Sequence, residues 1–390
     1  MVKKPTSSLL ILLLMATCIL AGRISSSGLS EEALQKALAR SEAQVTKVAS
    51  KPSIYRVSSS NPSEKDEGYC VIDSGSGYGG PMWVATLTDR KGKIKKVSIL
   101  SHKDTPSFID LITAKHLTAE FAGVAVEDPD TLEGNVDAIS GATYSSKGVI
   151  SAVASGSRAL ALHLGKPVPS RPASPFRIEA KEIWIALLLL VTVAASQFKL
   201  TKLRWPLLLA GLFILGLSYN SPLSIAQIAR VLLGYFPPVK ESIGWYLMVM
   251  GLPLAIFLCG KNIYCLWICP FGAIQELTTV ISGKRLSCQK CVKKKAQRIK
   301  TGLLTLALFL AVIYKNPAQA SFEPFATLFA LNGSTYQWVL LPLVIFSSFF
   351  FSRIWCRYFC PVSPVLHAIA AWGRRTKSLC TLHIRKNNER

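Results

Sequence analysis

Long apolar runs, separated by short polar and basic segments, dominate the second half of this chain. The runs are Leu9–Ala21, Ile183–Ser196, Trp205–Tyr219, Ile243–Cys259, Gly302–Tyr314 and Trp338–Phe351. A spanning helix needs about 20 apolar residues, and weakly polar neighbours extend each run towards that length. We therefore predict an N-terminal membrane anchor within residues 1–22 and an all-α polytopic membrane domain of about five helices at 181–390.

Between the first two runs the pattern predicts an α+β domain at 29–164. Alternating β-forming residues at Met82–Thr88 and Lys93–Leu100 indicate a hairpin around the turn Asp89–Gly92. Helical spacing recurs at Phe108–Phe121 and Ser145–His163. We also predict a polar amphipathic helix at Leu29–Ala49, a Ser/Pro-rich linker at Lys51–Ser63 and a proline-rich linker at 165–180 that leads into the membrane domain.

The net charge of +23 is unevenly distributed. Residues 23–179 hold 19 Lys and Arg against 17 Asp and Glu, so the excess flanks the apolar runs. Nine basic residues fall between Lys261 and Lys300, and eight between Arg353 and Arg390. This clustering follows the positive-inside rule and predicts that both segments face the cytoplasm. We expect membrane lipid, and no nucleic acid, as the partner of these charges.

The first apolar run follows Lys3 and Lys4, so it is either a cleaved signal peptide or an anchor. We predict an uncleaved anchor, because Met15–Cys18 fits a lipoprotein cleavage box poorly. Either alternative places the α+β domain outside the cytoplasm of a multi-pass protein of the inner (cytoplasmic) membrane. An anchor leaves both chain termini inside.

The segment Asp137–Gly148, DAISGATYSSKG, places Thr143 among small residues just before a predicted helix. One interpretation is an ordinary helix cap made by Ser140 or Thr143. The other is a phosphate site. Gly141 and Ala142 leave the backbone open to a bulky group, and a helix N-terminus favours an anion.

Three stretches resemble the FMN-binding domain of the Rnf and Nqr electron-transport complexes and of NosR/NirI-type membrane proteins: Gly77–Pro81, Ser101–Pro106 and Asp137–Ser145. In that family the threonine of Ser-Gly-Ala-Thr carries FMN through a phosphoester, which a flavin transferase installs from FAD. The resemblance implies covalent FMN on Thr143 and a flavin transferase as a partner. The implied cofactor-binding residues are Tyr78, Thr105, Pro106, Asp137, Ser140, Gly141, Ala142 and Thr143. Where the family has glycines after Thr-Pro, this chain has Ser107–Asp110, and Phe108 is a candidate to stack on the flavin.

The cysteines of the cytoplasmic segments point to a metal centre, because structural disulfides are rare in a reducing compartment. Cys265 and Cys269, like Cys356 and Cys360, form a Cys-x3-Cys-Pro motif. The spacing predicts that both sulfurs of a pair project from one helix face. Four thiolates suit an iron–sulfur cluster or zinc, and the residues leave both open. Cys288 and Cys291 form a weaker pair that is either additional ligands or incidental to a basic loop.

This half also resembles the NosR/NirI type, including short relatives associated with reductive dehalogenases. The resemblance implies an electron-transfer component of anaerobic respiration rather than a stand-alone enzyme. Electrons would pass from quinol or a cytoplasmic donor through an iron–sulfur centre to FMN and on to an extracytoplasmic reductase. The hydrocarbon core is about 30 Å thick, so a relay such as quinone is needed.

The alternative is a membrane redox sensor that reports the flavin's state to gene expression. The sequence contains no recognisable DNA-binding helix-turn-helix and no kinase-like output domain, which weighs against this alternative. A transporter would need polar residues or paired broken helices within the spans, and the pattern indicates neither.

Overall fold

The computed structural model describes residues 43–50, 52–59, 67–128, 134, 136–139, 141–168, 179–283, 290–331 and 333–388. The predicted anchor, most of the proline-rich linker and Ser140 lie outside these residues. The chain divides into two units. The first combines Met1–Pro175 with Ala229–Pro237 and Ala311–Gln319, and the second combines Phe176–Ile228, Pro238–Leu310 and Ala320–Arg390.

Five antiparallel strands form one sheet in the first unit, in the order β1-β2-β3-β4-β5. The strands are β1 Ala43–Ser50, β2 Ser53–Ser59, β3 Gly68–Ser76, β4 Pro81–Asp89 and β5 Ile94–Ser101. The predicted hairpin is confirmed, since β4 pairs with β5 from Trp83↔Ser101 to Thr88↔Ile94. A sheet in which each strand pairs with the next along the chain needs only short connections.

Two predictions about the start of this unit are wrong. Ala43–Ala49, placed in a helix by the sequence, belongs to β1, and Ser53–Ser59, placed in a linker, forms β2. The serines of β2 are typical of a linker, which explains the wrong prediction. In the structure Ile54 is buried and pairs with Val71 of β3. The remainder of the predicted helix, residues 29–42, lies outside the described residues.

Two described helices follow the sheet in the chain: α1 Pro106–Ala114 and α2 Thr143–His163. Each begins two residues before the stretch predicted from helical spacing, and α1 ends seven residues before Phe121. A short 3₁₀ turn, Leu117–Ala119, follows α1. Helix α2 packs on β3 and β4. Contact is close because two glycines face each other, so that a Cβ added at Gly75 would lie 1.9 Å from the Gly148 carbonyl oxygen.

The opposite sheet face has its own core of Cys70, Ile72 and Ala85, covered by larger side chains that include Tyr55 and Trp83. The two faces alternate along β3 as strand geometry requires, since successive side chains point to opposite sides. Val71 contacts the α2 side at Gly156, whereas Cys70 and Ile72 lie in the other core.

The chain from residue 179 onwards has no strand among its described residues, and it contributes Ala229–Pro237 and Ala311–Gln319 to the first unit. Its helices are α3 Ala180–Gln197, α4 Arg204–Gly211 continued by a π-helical turn Leu212–Ser218, α5 Ile225–Leu232, α6 Ile243–Tyr246 continued by a π-helical turn Leu247–Gly251, α7 Leu252–Cys259, α8 Pro270–Ser282, α9 Lys290–Ile313, α10 Phe325–Phe329, α11 Thr335–Phe350, α12 Ile354–Tyr358 and α13 Val362–Asn388. Short turns link several of them.

Three helical segments are long and apolar enough to cross a membrane: Ala180–Gln197, Thr201–Ser218 and Lys295–Ile313. Two shorter apolar helices, Ile243–Cys259 and Thr335–Phe350, coincide with two more of the predicted spans. The coarse prediction of an antiparallel sheet region followed by apolar membrane helices is confirmed. The number of spans, their orientation and the domain boundaries stay predictions.

Candidate functional site

Thr143 is the first residue of the 21-residue helix α2, and its side chain is exposed. Gly141 has a φ of 88°, a left-handed conformation that glycine adopts without strain. The tight turn is closed when Ile139 N–H donates to Ser146 Oγ over 3.2 Å. No side chain caps the helix at Ala142. The Thr143 hydroxyl therefore stands beside the uncapped, positive end of a long helix dipole.

The glycine-rich loop Gly77–Gly80 is held by a carboxyl group that the sequence did not single out. Asp104 is fully buried, and it accepts hydrogen bonds from Gly79 N–H at 2.5 Å and Tyr78 N–H at 3.1 Å. A Cβ at Gly77 would lie 2.5 Å from Asp104 Oδ2, so only glycine fits this approach. Burial raises the pKa of Asp104, while the two N–H groups and the charge of Arg230 oppose that rise.

Arg230 holds the same loop from its other side, within the first unit. Its guanidinium, which is almost entirely buried, donates to Tyr78 O at 2.6 Å, to Ser76 Oγ at 2.8 Å and to Tyr235 O at 2.7 Å. Hydrogen bonds from a charged donor are about twice as strong as neutral ones. The loop is thus fixed between a buried carboxylate and a buried guanidinium.

An aromatic group lies next to the threonine in this unit. The Tyr78 ring packs edge-on against Phe108 of α1 at 5.2 Å between centroids, and it lies 6.5 Å from Tyr144. Phe108 is buried in this contact. Because Tyr144 directly follows Thr143, this aromatic group lies next to the proposed attachment residue.

The other predicted flavin residues occupy the loops around these two helices. Thr105 is half-buried at the start of α1, and Pro106 is the exposed first residue of that helix. Ala142 is buried, whereas Asp137 is exposed in the loop before α2. Thr105 and Pro106 follow directly on Asp104, so the structure joins them to the Tyr78 loop through that carboxylate.

In the second unit, the two Cys-x3-Cys-Pro motifs share one backbone geometry, which differs from the prediction of two sulfurs on one helix face. The first cysteine of each motif, Cys265 or Cys356, lies in a short helical turn. The second closes that turn with an N–H bond of 2.9 Å, from Cys269 to Tyr264 O and from Cys360 to Trp355 O. A proline then starts or immediately precedes the next helix, where its missing N–H costs nothing.

Reciprocal contacts bring the two motifs together. Gln275 of α8, just after the first motif, accepts from Trp355 N–H at 2.9 Å and places its Nε2 3.4 Å from Cys356 Sγ. Arg353, just before the second motif, donates to the Cys265 carbonyl oxygen at 2.5 Å. Each motif therefore contributes one side chain that fixes the other.

The four motif thiols are neighbours. The charges of Cys265 and Cys356 act on Cys269, and those of the other three motif thiols act on Cys360. Among the described residues, no group of three or more His, Cys, Asp or Glu side chains is close enough to hold a single metal ion. Four thiolates are the ligand set of a four-iron cluster, and zinc accepts the same set.

Burial also bears on the state of these thiols. It raises the pKa of Cys265 to about 12, with a further contribution from Cys356, so the free thiol is protonated at neutral pH. A metal centre binds thiolate and would reverse that preference. Cys70, in the sheet core, has a pKa raised by burial to about 11 and is an inert thiol. The side chains of Cys288 and Cys291 lie outside the described part of the structure.

A cavity of about 960 Å³ is lined by the first cysteine of each motif. Its wall includes Cys265, Cys356, Asn262, Arg353 and Lys300. The lining carries more basic than acidic side chains, and Glu276 is the single carboxylate among the described lining residues. The cavity suits an anionic group held by the thiols.

Comparisons with known proteins agree with both sites. Residues 77–157 match the model of an FMN-binding domain, and residues 242–288 and 338–380 match that of a 4Fe-4S binding domain. Protein NirI of Paracoccus denitrificans is 25% identical over 197 residues, which is 45% of this chain and 28% of NirI. Regulatory protein NosR of Pseudomonas aeruginosa is 28% identical over 48% of this chain and 29% of NosR. The chain is thus similar to proteins of the NosR/NirI type. It carries an FMN-binding domain and a 4Fe-4S binding domain, and this pair of domains supports an electron-transfer role.

The chain spans less than a third of the length of these two relatives. A further relative, the methylamine utilization ferredoxin-type protein MauN of Methylobacillus flagellatus, is 30% identical over 30% of this chain and 42% of MauN. The three apolar helices and the relatives together indicate a membrane protein.

Sequence reasoning missed four residues that organise the sites: Asp104, Arg230, Gln275 and Arg353. Asp104 lies within a stretch that carried the family resemblance, so its position was an available signal. Arg230 is a charged residue in an otherwise apolar segment, which was a second signal. Gln275 and Arg353 contact residues about eighty positions away, and the sequence near each residue does not indicate such distant partners.

Proposed function

We propose that this protein carries electrons from quinol or a cytoplasmic donor, through the iron–sulfur centre, to FMN bound covalently to Thr143. The electrons then leave to an extracytoplasmic reductase. FMN supplies two-electron and one-electron chemistry when bound, and the iron–sulfur centre supplies one-electron chemistry. Quinone within the bilayer is the proposed relay between the two.

The observation that carries the proposal is the position of Thr143. Its exposed hydroxyl begins a long uncapped helix, where a phosphate is favoured by the helix dipole and by free N–H groups. Lys147 is exposed one turn later on the same helix face, which adds a positive charge. A flavin transferase would join the phosphate of the FMN half of FAD to Thr143 Oγ1 and release AMP.

The chain's own residues orient the flavin once it is attached. The half-buried rings of Tyr78 and Tyr144 offer an aromatic surface beside the attachment point, and the buried Phe108 packs against Tyr78. Such surfaces pack well against a flat ring. Asp104 and Arg230 keep the Tyr78 loop in place. A phosphoester tether keeps the cofactor at high effective concentration in a compartment from which a free flavin would be lost.

Flavin fluorescence on a denaturing gel tests the attachment. After expression with a flavin transferase, the wild-type band should fluoresce and Thr143→Ala should be dark. Thr113→Ala is the matched control. Thr113 is also an exposed helical threonine that donates to the carbonyl four residues earlier, at 2.9 Å, as Thr143 does at 3.4 Å. A fluorescent Thr143→Ala band would refute the attachment at this residue.

A second candidate function is a membrane redox sensor, which the name of the relative Regulatory protein NosR favours. Steady turnover separates the two candidates. With a reduced quinol analogue as donor and an artificial outer acceptor, an electron carrier transfers many electrons per molecule. A sensor transfers no more than its cofactors hold. We expect sustained transfer by the wild type and by Thr113→Ala, and loss in Thr143→Ala.

A further inference from the structure

An arginine and a glutamate form a linked charge pair on the wall of the cavity that Cys265 and Cys356 also line. Arg353 Nε lies 2.7 Å from Glu276 Oε1, and both side chains are largely buried. The same oxygen of Glu276 also accepts a hydrogen bond from Arg204 Nη2 at 2.5 Å. Because Nη1 of Arg353 also donates to the Cys265 carbonyl, the guanidinium is anchored directly behind a predicted cluster ligand.

Several donors on this wall have no acceptor. Arg353 Nη2 and Asn262 Nδ2 are buried without a hydrogen-bond partner among the described residues. The Nε group of Arg353 makes its ion pair with Glu276 without an aligned hydrogen bond. A buried donor without an acceptor is unfavourable, and more so when it is charged. Glu276 Oε2 is also buried without a partner, but the three unpaired N–H groups outnumber it. This balance favours an electron-rich group in the cavity, such as an iron–sulfur cluster with four thiolates.

We propose that Arg353, with Glu276 as its counterion, sets the reduction potential of the iron–sulfur centre. This inference rests on the proposed function, which places that centre at the four motif cysteines. Reduction adds one negative charge to the centre. A nearby guanidinium stabilises the reduced form and raises the potential, while the carboxylate of Glu276 partly cancels this effect.

Opposite charge changes should move the potential in opposite directions. In purified wild type titrated with dithionite under anaerobic conditions, the midpoint is read from the EPR signal of the reduced cluster. Arg353→Gln should shift the midpoint to more negative values. Glu276→Gln should shift it to more positive values, because the positive charge of Arg353 is no longer balanced. A purely structural role cannot produce shifts of opposite sign.

Arg374→Gln is the matched control. Arg374 also donates to a backbone carbonyl oxygen, that of Gly260 at 2.6 Å, but it does not line the cavity. Its loss removes the same charge and the same kind of hydrogen bond, and the midpoint should stay at the wild-type value.

The outcomes separate this inference from the proposed function. A wild type that lacks iron and acid-labile sulfide overturns both. A loaded wild type whose midpoint ignores Arg353→Gln and Glu276→Gln overturns this inference alone. If Arg353→Gln loses its iron, Arg353→Lys and Glu276→Gln decide: a near wild-type midpoint in the first with a positive shift in the second supports the inference. An unchanged midpoint in Glu276→Gln then contradicts it.

Discussion

The buried carboxyl group of Glu323 makes the stability of the second unit depend on pH. Its Oε2 accepts the Ile225 N–H at 2.9 Å, and burial raises its pKa from 4.5 to about 8. Because the pKa is higher in the folded state, folding takes up a proton between these values. The stabilisation is complete below pH 4.5 and is lost as the pH rises through 8.

Glu323→Gln should therefore flatten the pH dependence of stability. The amide mimics the protonated carboxyl and keeps an acceptor for Ile225. Thermal unfolding in detergent at a series of pH values checks this, with the more exposed Glu179→Gln as the control. The wild type and the control should lose stability between pH 5 and pH 8, about the window that the pKa shift sets. An equal slope in Glu323→Gln would contradict the role of this carboxyl group.

Arg230 gives a second prediction at the scale of one residue. Each hydrogen bond to a charged group is worth about 1.5–3 kcal/mol, so Arg230→Gln should loosen the loop that it holds. Hydrogen exchange should become faster at the amides of Tyr78 and Gly79, and flavin loading should fall. Arg56→Gln, at an exposed position of β2, should leave both unchanged. Unaltered exchange in Arg230→Gln would show that Asp104 alone fixes the loop.

Some residues of the two candidate sites could be predicted from the sequence, and others could not. Thr143 could be proposed from the sequence because its neighbours form a local, recognisable pattern. Arg230 and Ser76 are bonded across 154 positions, and Gln275 and Trp355 across 80. Such contacts depend on the completed fold, and no periodicity or motif in one sequence encodes them. The cysteine spacing predicted a shared centre, whereas the turn geometry around each proline came only from the structure.

Among the elements, the packing of α2 on β3 controls where Thr143 lies. Gly75 and Gly148 allow the helix to approach the strand so closely that a methyl group at Gly75 meets the Gly148 carbonyl. Gly75→Ala should destabilise the unit by roughly 1–3 kcal/mol, as overpacking does. It should also lower flavin loading, because the start of α2 must move.

The exposed neighbour Ser74 supplies the control for that substitution. Ser74→Ala adds no atom between strand and helix, so both the melting temperature and flavin loading should match the wild type. If Gly75→Ala melts at the wild-type temperature with full flavin loading, the close contact does not position the helix.

The elements also explain which predictions failed. The β4–β5 hairpin has strong β-forming residues and a clear turn, and it was predicted correctly. Three serines interrupt the β-forming residues of β2, and β1 mixes two valines and a threonine with alanine, glutamine and lysine, so pairing within the sheet contributes to their strand character. Among the β2 side chains that the structure describes, only Ile54 is deeply buried. Tertiary pairing therefore overrode weak local preference.

At the scale of the whole molecule, the two sites are built from different kinds of element. The flavin site joins loops and helix ends of the sheet unit, whereas the cysteine site joins short turns between helices. Each site is matched by its own family model, and the relatives cover different shares of the chain. This division favours a modular electron carrier in which each centre can be removed separately.

Removal of the cysteine centre is a direct test of that modularity. Replacing Cys265 and Cys360 together with serine should abolish iron and acid-labile sulfide while leaving flavin fluorescence unchanged. Cys259→Ser is the control, because this buried cysteine lies at the end of α7 and outside both motifs. Iron retained in the double variant would contradict the assignment of the ligands.

The covalent flavin is the central claim, and the mass of one peptide tests it most directly. The protein is expressed with a flavin transferase and digested, and the peptide that contains Thr143 is analysed by mass spectrometry. We predict that the peptide carries the added mass of FMN minus one water, with fragment ions that place the addition on Thr143. An unmodified peptide, or an addition on another residue, would contradict the account.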